Sequence, residues 1–325
     1  MDDERFIVGR EDLEKIDNRS IERLAGNPHL EKLGLRGGSL EGLDFSPLKQ
    51  LKNLKWIQIR NIKPLTSLPD LLANTPNLEV LQLSGVGPFS TGLLREIASL
   101  KSLLSLFIQY CGGFKETSLQ PLGNCTTLQK LSLIGLEKAS IDFEFTGRLT
   151  NLENLSFEDN EIQSCDLGPL AQNKSLRELL LNGNEIESLD LTPLSSCKKL
   201  NILSLRSNRL QKLDLTPLAR CDMTELVVAR NQLQKIDLTP LGECPNLDTI
   251  ILFENRLEEI DLSPLSKCRN LTHLDIADNR LRSIDLTPLS ECRRLKVLRI
   301  DDNPIRGLDT SPIDSLESLT EFRPP

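Results

Sequence analysis

Leucines recur along most of the chain in blocks of the form L-x-x-L-x-L, and successive blocks begin about 24 residues apart. Leu200, Leu203 and Leu205 form one such block. The L-x-L alternation turns every second side chain to one face, which is typical of a short strand with one face in the core. A fixed period of this length indicates stacked supersecondary units. The pattern therefore predicts a repeat protein with one short strand in each repeat.

The residue that opens each block sets the register of twelve predicted strands. These residues are Leu30, Leu54, Leu78, Leu103, Leu128, Leu152, Leu176, Leu200, Met223, Leu247, Leu271 and Leu295, and a partial thirteenth unit begins at Leu319. The last seven blocks end on the asparagine column, which comprises Asn160, Asn184, Asn208, Asn231, Asn255, Asn279 and Asn303. Its amides are expected to satisfy backbone groups at the strand exits. The one 23-residue step, near Met223, predicts a local change in the regular curvature.

Between the regular strands the chain reads D-L-T/S-P-L. A Ser or Thr before Pro predicts an N-cap followed by an N1 proline, and therefore a single turn of 3-10 or α-helix. The aspartate that opens this segment forms the aspartate column: Asp190, Asp214, Asp237, Asp261, Asp285 and Asp309. We expect these carboxylates to bond local backbone N–H groups, with calcium binding as the alternative. Thr91–Leu100 predicts a fuller α-helix.

Taken together, these motifs resemble the leucine-rich repeat family over about residues 30 to 322. The resemblance implies an α/β fold: a right-handed solenoid shaped as a horseshoe or arc, with a parallel β-sheet on its concave face and short 3-10 or α-helical turns on its convex face. We expect one solenoid domain that is capped at both ends, with an amphipathic capping helix over residues 11–24. Its parts are an N-terminal cap (1–29), twelve repeats (30–318; irregular over 30–151, regular over 152–318) and a partial capping repeat (319–325).

Composition limits the classes of partner that this protein is expected to bind. The net charge of −8 and the isoelectric point near 5.1 disfavour nucleic acids and anionic membranes, which attract basic surfaces. No run of 18 apolar residues predicts a membrane span, and the acidic segment Met1–Phe6 lacks the apolar stretch of a secretory signal. The sequence therefore predicts a soluble, cytoplasmic protein that binds neither nucleic acid nor membrane.

Cysteines recur once per regular repeat, shortly before the next strand. This cysteine column comprises Cys197, Cys221, Cys244, Cys268 and Cys292. A cysteine fixed at an apolar repeat position indicates a small buried side chain with a free thiol. The alternative is a zinc or redox ladder, but the column lacks C-x-x-C pairs and histidine partners.

No catalytic chemistry is apparent. His29 and His273 are far apart in the chain, and no nucleophile elbow, phosphate-binding loop or metal-ligand cluster occurs. Gly37–Gly38 and Gly112–Gly113 are predicted to be tight strand exits. We therefore predict a protein that is not an enzyme and has no catalytic residue, cofactor or metal site.

The candidate binding residues lie at strand positions that should face solvent on the concave surface. Five are expected to form one apolar patch, two arginines border it, and three aromatic residues lie nearer the N-terminus. In that order they are Leu180, Ile202, Val227, Ile251 and Phe253; Arg206 and Arg230; and Trp56, Phe107 and Tyr110. Such patches and residue types are typical of protein interfaces, although cross-strand packing alone would also account for them.

Charge is graded along the same face. Basic residues lie at one end (Lys32, Arg36 and Arg60) and acidic residues at the other (Asp275, Asp278, Asp301 and Asp302). This gradient would orient a partner of opposite polarity; ordinary solvation and a cation held by the four aspartates are the alternatives.

The leading hypothesis is a monomeric, non-catalytic scaffold or adaptor that binds a protein or peptide on the concave face. The alternative is a structural protein that self-associates through the apolar patch. The family resemblance implies binding roles of this kind, since some relatives regulate phosphatases or small GTPases. No residue of this chain selects one of those partners.

Overall fold

The structure is a computed structural model, and it describes residues 10–14 and 16–325. The chain forms two compact units. The first runs to Lys138 and includes Glu144–Leu152, and the second comprises Ala139–Phe143 and Glu153–Pro325. The segment Met1–Phe6 lies outside the described residues. That the whole chain is one solenoid domain with the boundaries given above stays a prediction.

The first unit holds six parallel strands whose order in the sheet follows the sequence. They are β1 (Arg10–Leu13), β2 (Lys32–Arg36), β3 (Trp56–Arg60), β4 (Val80–Ser84), β5 (Ser105–Gln109) and β6 (Lys130–Ile134). The leucines and isoleucines of the predicted strand register are buried here; Leu33, Ile57 and Leu106, for example, are fully inaccessible to solvent. Burying one such side chain stabilises the fold by about 1.5–3 kcal/mol.

Helices connect the strands of this unit. They are the α-helices α1 (Asn18–Ala25), α2 (Leu68–Ala73) and α3 (Thr91–Ile97), and the 3-10 helices Ser46–Gln50 and Gln120–Asn124. The helix predicted within Thr91–Leu100 is confirmed by α3, whose first turn is capped by the Ser90 hydroxyl accepting from the Leu93 N–H at 3.2 Å. A further 3-10 helix, Phe143–Arg148, spans the residues at which the two units divide.

The predicted capping helix over 11–24 is wrong in its first half. Residues Arg10–Leu13 form strand β1, which pairs with β2, and α1 begins only at Asn18. Asp17 explains the late start, because its carboxylate accepts from the Ser20 N–H at 2.7 Å while the Ser20 hydroxyl accepts from the Asp17 N–H at 2.9 Å. This reciprocal capping box fixes the first turn of the helix.

The second unit holds eight shorter parallel strands, also in sequence order. They are β7 (Asn154–Ser156), β8 (Glu178–Leu180), β9 (Ile202–Ser204), β10 (Glu225–Val227), β11 (Thr249–Ile251), β12 (His273–Asp275), β13 (Val297–Arg299) and β14 (Glu321–Arg323). Both units confirm the predicted fold class, with a parallel sheet and short 3-10 or α-helical return segments.

Six 3-10 helices return the chain in the second unit. They are Gly168–Gln172, Thr192–Ser196, Thr216–Leu218, Thr239–Glu243, Ser263–Lys267 and Thr287–Glu291. The three-residue helix Thr216–Leu218 belongs to the 23-residue repeat before Met223, which is itself fully buried. The return segment of this repeat is therefore shortened, and the local change in curvature expected there stays a prediction.

The predicted Ser or Thr N-cap of these helices is wrong. In the helix Thr192–Ser196 the N-cap residue is Leu191, and Thr192 is already the first helical residue. The Asp190 carboxylate accepts from the Thr192 N–H at 2.8 Å, and every member of the aspartate column repeats this bond to the residue two positions on at 2.8–2.9 Å. Hydrogen bonds from the Thr192 hydroxyl and N–H lower the pKa of Asp190. The column therefore bonds local backbone N–H groups, as expected.

The asparagine column joins successive repeats through the backbone. The Asn208 amide donates to the carbonyls of Leu205, in its own repeat, and Leu181, in the preceding one, at 3.0 and 2.9 Å. Its Oδ1 accepts from the buried Ile186 N–H at 3.1 Å. Asn184, Asn231, Asn255, Asn279 and Asn303 repeat the same three bonds. These amides are scaffold, since they satisfy backbone groups that water does not reach.

The cysteine column is buried and carries free thiols. Each Sγ donates to the carbonyl of a leucine in the preceding repeat, as Cys197 does to Leu170 at 3.4 Å. Burial raises the pKa of Cys197 to about 11 and that of Cys292 to about 12. The prediction of small buried side chains with free thiols is confirmed.

A residue one to three positions past most strands adopts a left-handed backbone. Gly37, Gly85, Gly135 and Gly183 supply this conformation with φ between 61° and 68°, and in most other repeats Asn, Asp, Ser, Arg, Glu or Tyr adopts φ of 50–57° there. Gly112–Gly113 forms a tight exit as well, since Gly113 has φ of 92° and lies against the Phe89 backbone. Only glycine takes these angles at no steric cost.

Candidate functional site

The predicted apolar patch lies on the sheet of the second unit, but polar residues interrupt it. Leu180 and Val227 both pair with Ser204, which lies between them and is buried. Ile202 pairs with Glu178 on one side and Glu225 on the other. Only Val227 and Ile251 pair directly across the sheet, and Phe253 follows Ile251 on the same face. The prediction of one continuous patch is therefore wrong, because the alternation of one strand does not determine its neighbours.

These apolar side chains are also less accessible than expected. Leu180, Ile202, Val227, Ile251 and Phe253 are all half-buried. Among the described residues the one large apolar side chain that is exposed is Tyr110, in the first unit, at 61%. The accessible apolar surface of the expected patch therefore consists only of the sides of half-buried side chains, which lie between polar residues.

Phe253 brings the two predicted arginines together. The Arg206 and Arg230 guanidinium carbons lie 5.3 and 5.8 Å from the centre of its ring. Buried Ala229 lies between Arg206 and Phe253 in the same row, so the long arginine reaches across a methyl group to the ring. Each such cation–π contact contributes about 0.5–1 kcal/mol at an accessible site.

Arg230 is also fixed by an ion pair, since its Nε lies 3.0 Å from Glu254 Oε1. Both residues have left-handed backbones, with φ of 56° and 53°. A bulky residue in this conformation costs about 1–2 kcal/mol. Packing and the ion pair hold Arg230 and Glu254 beside Phe253 despite this strain. The sequence predicted only that Arg230 borders the apolar patch.

A polar network that the sequence analysis missed lies on the same face. Asn182 donates to Glu158 Oε2 at 2.7 Å, and its Oδ1 accepts from the Ser204 hydroxyl at 2.6 Å and the Arg206 N–H at 2.8 Å. The Ser156 hydroxyl donates to Glu158 Oε1 at 2.8 Å. The network fixes the backbone from which Arg206 extends. Glu158, Asn182 and Arg206 occupy the same position in three successive repeats. This run of polar residues is the sequence signal that could have revealed the network.

The acidic residues at the end of the second unit have different environments. Asp275 is buried and lies 3.3 Å from Arg299 Nη1, and burial raises its pKa. Asp278 and Asp302 are exposed, and Asp301 is half-buried. Within residues 10–14 and 16–325, no group of three or more His, Cys, Asp or Glu side chains is arranged to hold a metal ion.

The three aromatic residues of the first unit do not form a cluster. Trp56 lies under the Arg10 guanidinium, whose carbon is 5.4 Å from the ring centre. Phe107 lines a cavity of about 290 Å³ together with the amides of Gln58 and Gln82. Tyr110 has φ of 51°, and its ring covers Gly135, where a side chain would clash with it. The sequence predicted that the three side chains lie on the same face of the sheet, but it did not predict that they lie apart from one another.

The basic residues of the first unit include a pair of like charges. Arg36 and Arg60 are both exposed and lie opposite each other on β2 and β3. Like charges at directly paired positions destabilise a sheet. The described residues provide neither guanidinium with an ion pair, so this end of the sheet is basic.

A larger cavity lies off the sheet face of the second unit. It has a volume of about 710 Å³, and its walls include Lys235, Glu259, Arg280 and Arg282. Lys235 Nζ and Glu259 Oε1 pair at 2.6 Å. Five of its six lining residues are charged and the sixth is Pro304, so we place the candidate site around Phe253, which offers an aromatic anchor, instead. No helix of the described residues is long and apolar enough to cross a membrane.

Comparison with family models places repeats over most of the second unit and part of the first. A BspA type leucine rich repeat region (6 copies) matches residues 122–248, a leucine rich repeat model matches residues 221–281, and a model of leucine rich repeats (2 copies) matches residues 269–320. No curated protein matches significantly.

Solved structures with similar folds include a bacterial internalin, a plant peptide hormone receptor and TLR13. An internalin (InlF) from Listeria monocytogenes is 27% identical, with a TM-score of 0.73 over 97% of this chain and 86% of the internalin. The plant peptide hormone receptor RGFR1, in complex with RGF2, is 24% identical (TM-score 0.65; 93% of this chain, 52% of the receptor). TLR13, in complex with ssRNA13, is 20% identical (TM-score 0.64; 92% and 47%).

The last two likenesses show the fold alone, and this chain spans about half the length of each receptor. The recurrent strand register, the asparagine column and the three matching family models agree with one another. This chain is a leucine-rich repeat protein.

Proposed function

We propose that this protein is a non-catalytic scaffold or adaptor that binds a protein or peptide partner on the sheet face of its second unit. The observation that carries the proposal is the convergence of Arg206 and Arg230 on Phe253, beside half-buried Val227 and Ile251. Aromatic residues and arginines are the types enriched at interface hot spots. A rigid sheet holds these side chains in place before binding, which lowers the entropic cost of association.

The comparisons support an interaction role in general. The similar structures include internalins and receptors, and one of the receptors was solved with a peptide hormone. TLR13 was solved with a single-stranded RNA, so the fold does not exclude nucleic acid. The net charge of −8 favours a protein partner here, because a nucleic acid would be repelled overall.

The proposal also includes a cytoplasmic, monomeric protein. All eight cysteines are free, which supports a reducing compartment. Size-exclusion chromatography with light scattering tests the monomer. A concentration-dependent dimer that Ile251→Asp dissolves would support self-association through this face instead.

The direct test is affinity capture from the native lysate, followed by mass spectrometry. We expect the wild-type chain to retain a partner that both Ile251→Asp and Phe253→Asp lose, because a buried carboxylate at an interface is costly. Gln211→Asp is the matched control, since it adds the same charge at an exposed position outside the strands. If both sheet variants fold, judged by circular dichroism, and retain every partner, the proposal is wrong.

A further inference from the structure

A small cavity adjoins Phe253 on the sheet face of the second unit. In the row that follows the strands, Phe253, Ala277 and Asp301 are successive neighbours, joined by backbone hydrogen bonds of 3.1 and 3.0 Å between their repeats. The Ala277 methyl group leaves a depression between the ring and the carboxylate. Its volume is about 240 Å³, which corresponds to about eight waters at liquid density.

The charge of this cavity is negative. Five carboxylates and two guanidiniums line it. The guanidiniums of Arg299 and Arg323 are already engaged, since each pairs with Glu321 Oε1, at 3.0 and 2.8 Å, and Arg299 also pairs with Asp275. Among the described residues, no Lys or Arg forms an ion pair with the carboxylates of Asp278, Asp301 or Asp302.

Asp301 carries a further sign of an unmade interaction. Its Oδ1 is buried and has no hydrogen-bond partner among the described residues. An unsatisfied buried acceptor costs about 1–3 kcal/mol, and more when it is charged. Because Oδ1 is closed to solvent, the accessible part of this half-buried carboxylate is what faces the cavity. The cavity thus combines an aromatic wall, an apolar floor and a negatively charged rim.

We propose that this cavity receives a lysine or arginine side chain of the partner, with the cationic head between the Phe253 ring and the Asp301 carboxylate. This inference rests on the proposed function and names the chemistry of the partner: a basic residue flanked by apolar residues that pack on Val227 and Ile251. The ring supplies a cation–π contact to the head, and the Ala277 methyl group contacts the aliphatic stem, as long cationic side chains require.

Two other ligands fit the cavity less well. A metal ion would need at least three suitably placed ligands, and the described residues provide no such group. A drug-sized small molecule occupies pockets of about 300–1,000 Å³, which exceeds this volume. A single side chain delivered by a protein surface matches both the size and the charge.

The first experiment uses N-acetyl-L-arginine amide as the probe and the full chain labelled with ¹³C at the alanine methyl groups. We expect a saturable shift of the Ala277 methyl signal at millimolar probe, and none with the neutral N-acetyl-L-glutamine amide. Asp301→Asn should weaken binding about fivefold, the value of one well-placed ion pair. Phe253→Leu should weaken it about two- to fivefold, the value of a cation–π contact. Asp314→Asn, the same change at an exposed site outside the cavity, should leave it unchanged.

The proposal is overturned if Ala277 shows no saturable shift, or if the neutral probe shifts it equally. Capture of the partner separates this inference from the proposed function. If Phe253→Asp loses the partner while Asp301→Asn and the cavity-filling Ala277→Leu retain it, the interface stands and the basic-side-chain cavity is wrong. If the probe binds but Phe253→Asp retains every partner, both the proposed interface and the reception of a partner side chain in this cavity are wrong.

Discussion

The asparagine column permits a quantitative prediction at Asn208. Replacing it with alanine removes the acceptor of the buried Ile186 N–H, which costs about 1–3 kcal/mol for an unsatisfied group. The carbonyls of Leu181 and Leu205 lose one donor each, at about 0.5–1.5 kcal/mol per bond. Neither carbonyl is orphaned, because Asn184 also donates to Leu181 and Asn231 also donates to Leu205. We expect a total loss of about 2–6 kcal/mol from the free energy of unfolding.

This sharing of carbonyls makes a sharper test possible. In the double variant Asn208→Ala, Asn231→Ala, the Leu205 carbonyl loses both of its asparagine donors. The double variant should therefore be less stable than the sum of the single effects by about 1 kcal/mol or more, as expected for residues that share a partner. Additivity within about 0.5 kcal/mol would contradict the shared bonding.

The assay is urea unfolding followed by far-ultraviolet circular dichroism, because the one tryptophan, Trp56, lies in the first unit and does not report on the second. Hydrogen exchange of the Ile186 amide gives a local readout, and its protection should fall in Asn208→Ala. Asn246→Ala is the matched control at an exposed position and should cost at most about 0.5 kcal/mol. If Asn208→Ala costs no more than the control, the scaffold role of the column is refuted.

Three further predictions concern other structural devices. Gly113→Ala should destabilise the protein more than Gly42→Ala: both glycines have positive φ, but a Cβ at Gly113 would lie 2.7 Å from the Phe89 carbonyl oxygen, whereas Gly42 faces open space. Iodoacetamide at pH 8 should label the native protein very slowly and all eight cysteines after unfolding, since burial raises thiol pKa values, that of Cys125 to about 12. Replacing the six aspartates of the aspartate column with asparagine should flatten the loss of stability in acid. Their folded pKa values are lowered by the hydrogen bonds to the following Thr or Ser, so they contribute stability above their unfolded pKa of about 3.9, which is lost as the pH falls through the folded value.

Each of these three predictions has an outcome that would contradict it. Equal unfolding free energies for Gly113→Ala and Gly42→Ala would show that the Phe89 backbone yields to the new methyl group. Rapid labelling of several thiols in the native protein would show that the cysteine column is accessible. An unchanged acid slope in the sixfold variant would mean that these hydrogen bonds of the aspartates contribute little stability, and that the carboxylates of the ion pairs govern acid unfolding instead.

Sequence alone determined the register of this protein. A period of about 24 residues sets which leucines point inward, because each repeat must bury its apolar side against the next. Leu33, Leu203 and Leu274 lie in the core as predicted, and the asparagine and cysteine columns bond the backbone of neighbouring repeats. Predictions from local sequence were less reliable where a segment can adopt two alternative local structures. Local sequence placed the N-cap at Thr192, although Thr192 is already helical and its N–H donates to Asp190. It also missed strand β1, whose pairing with β2 is a tertiary interaction.

The candidate site was decided by the tertiary structure. Residues that meet across the sheet are about 24 or 48 positions apart in the chain, and their contacts depend on the side chains between them. Ser204 divides the expected patch, whereas small Ala229 lets Arg206 reach Phe253. The cavity at Ala277 exists for the same reason, since a methyl group lies between a ring and a carboxylate. The repeat sets the backbone position of each side chain, and only packing decides which groups the end of that side chain contacts.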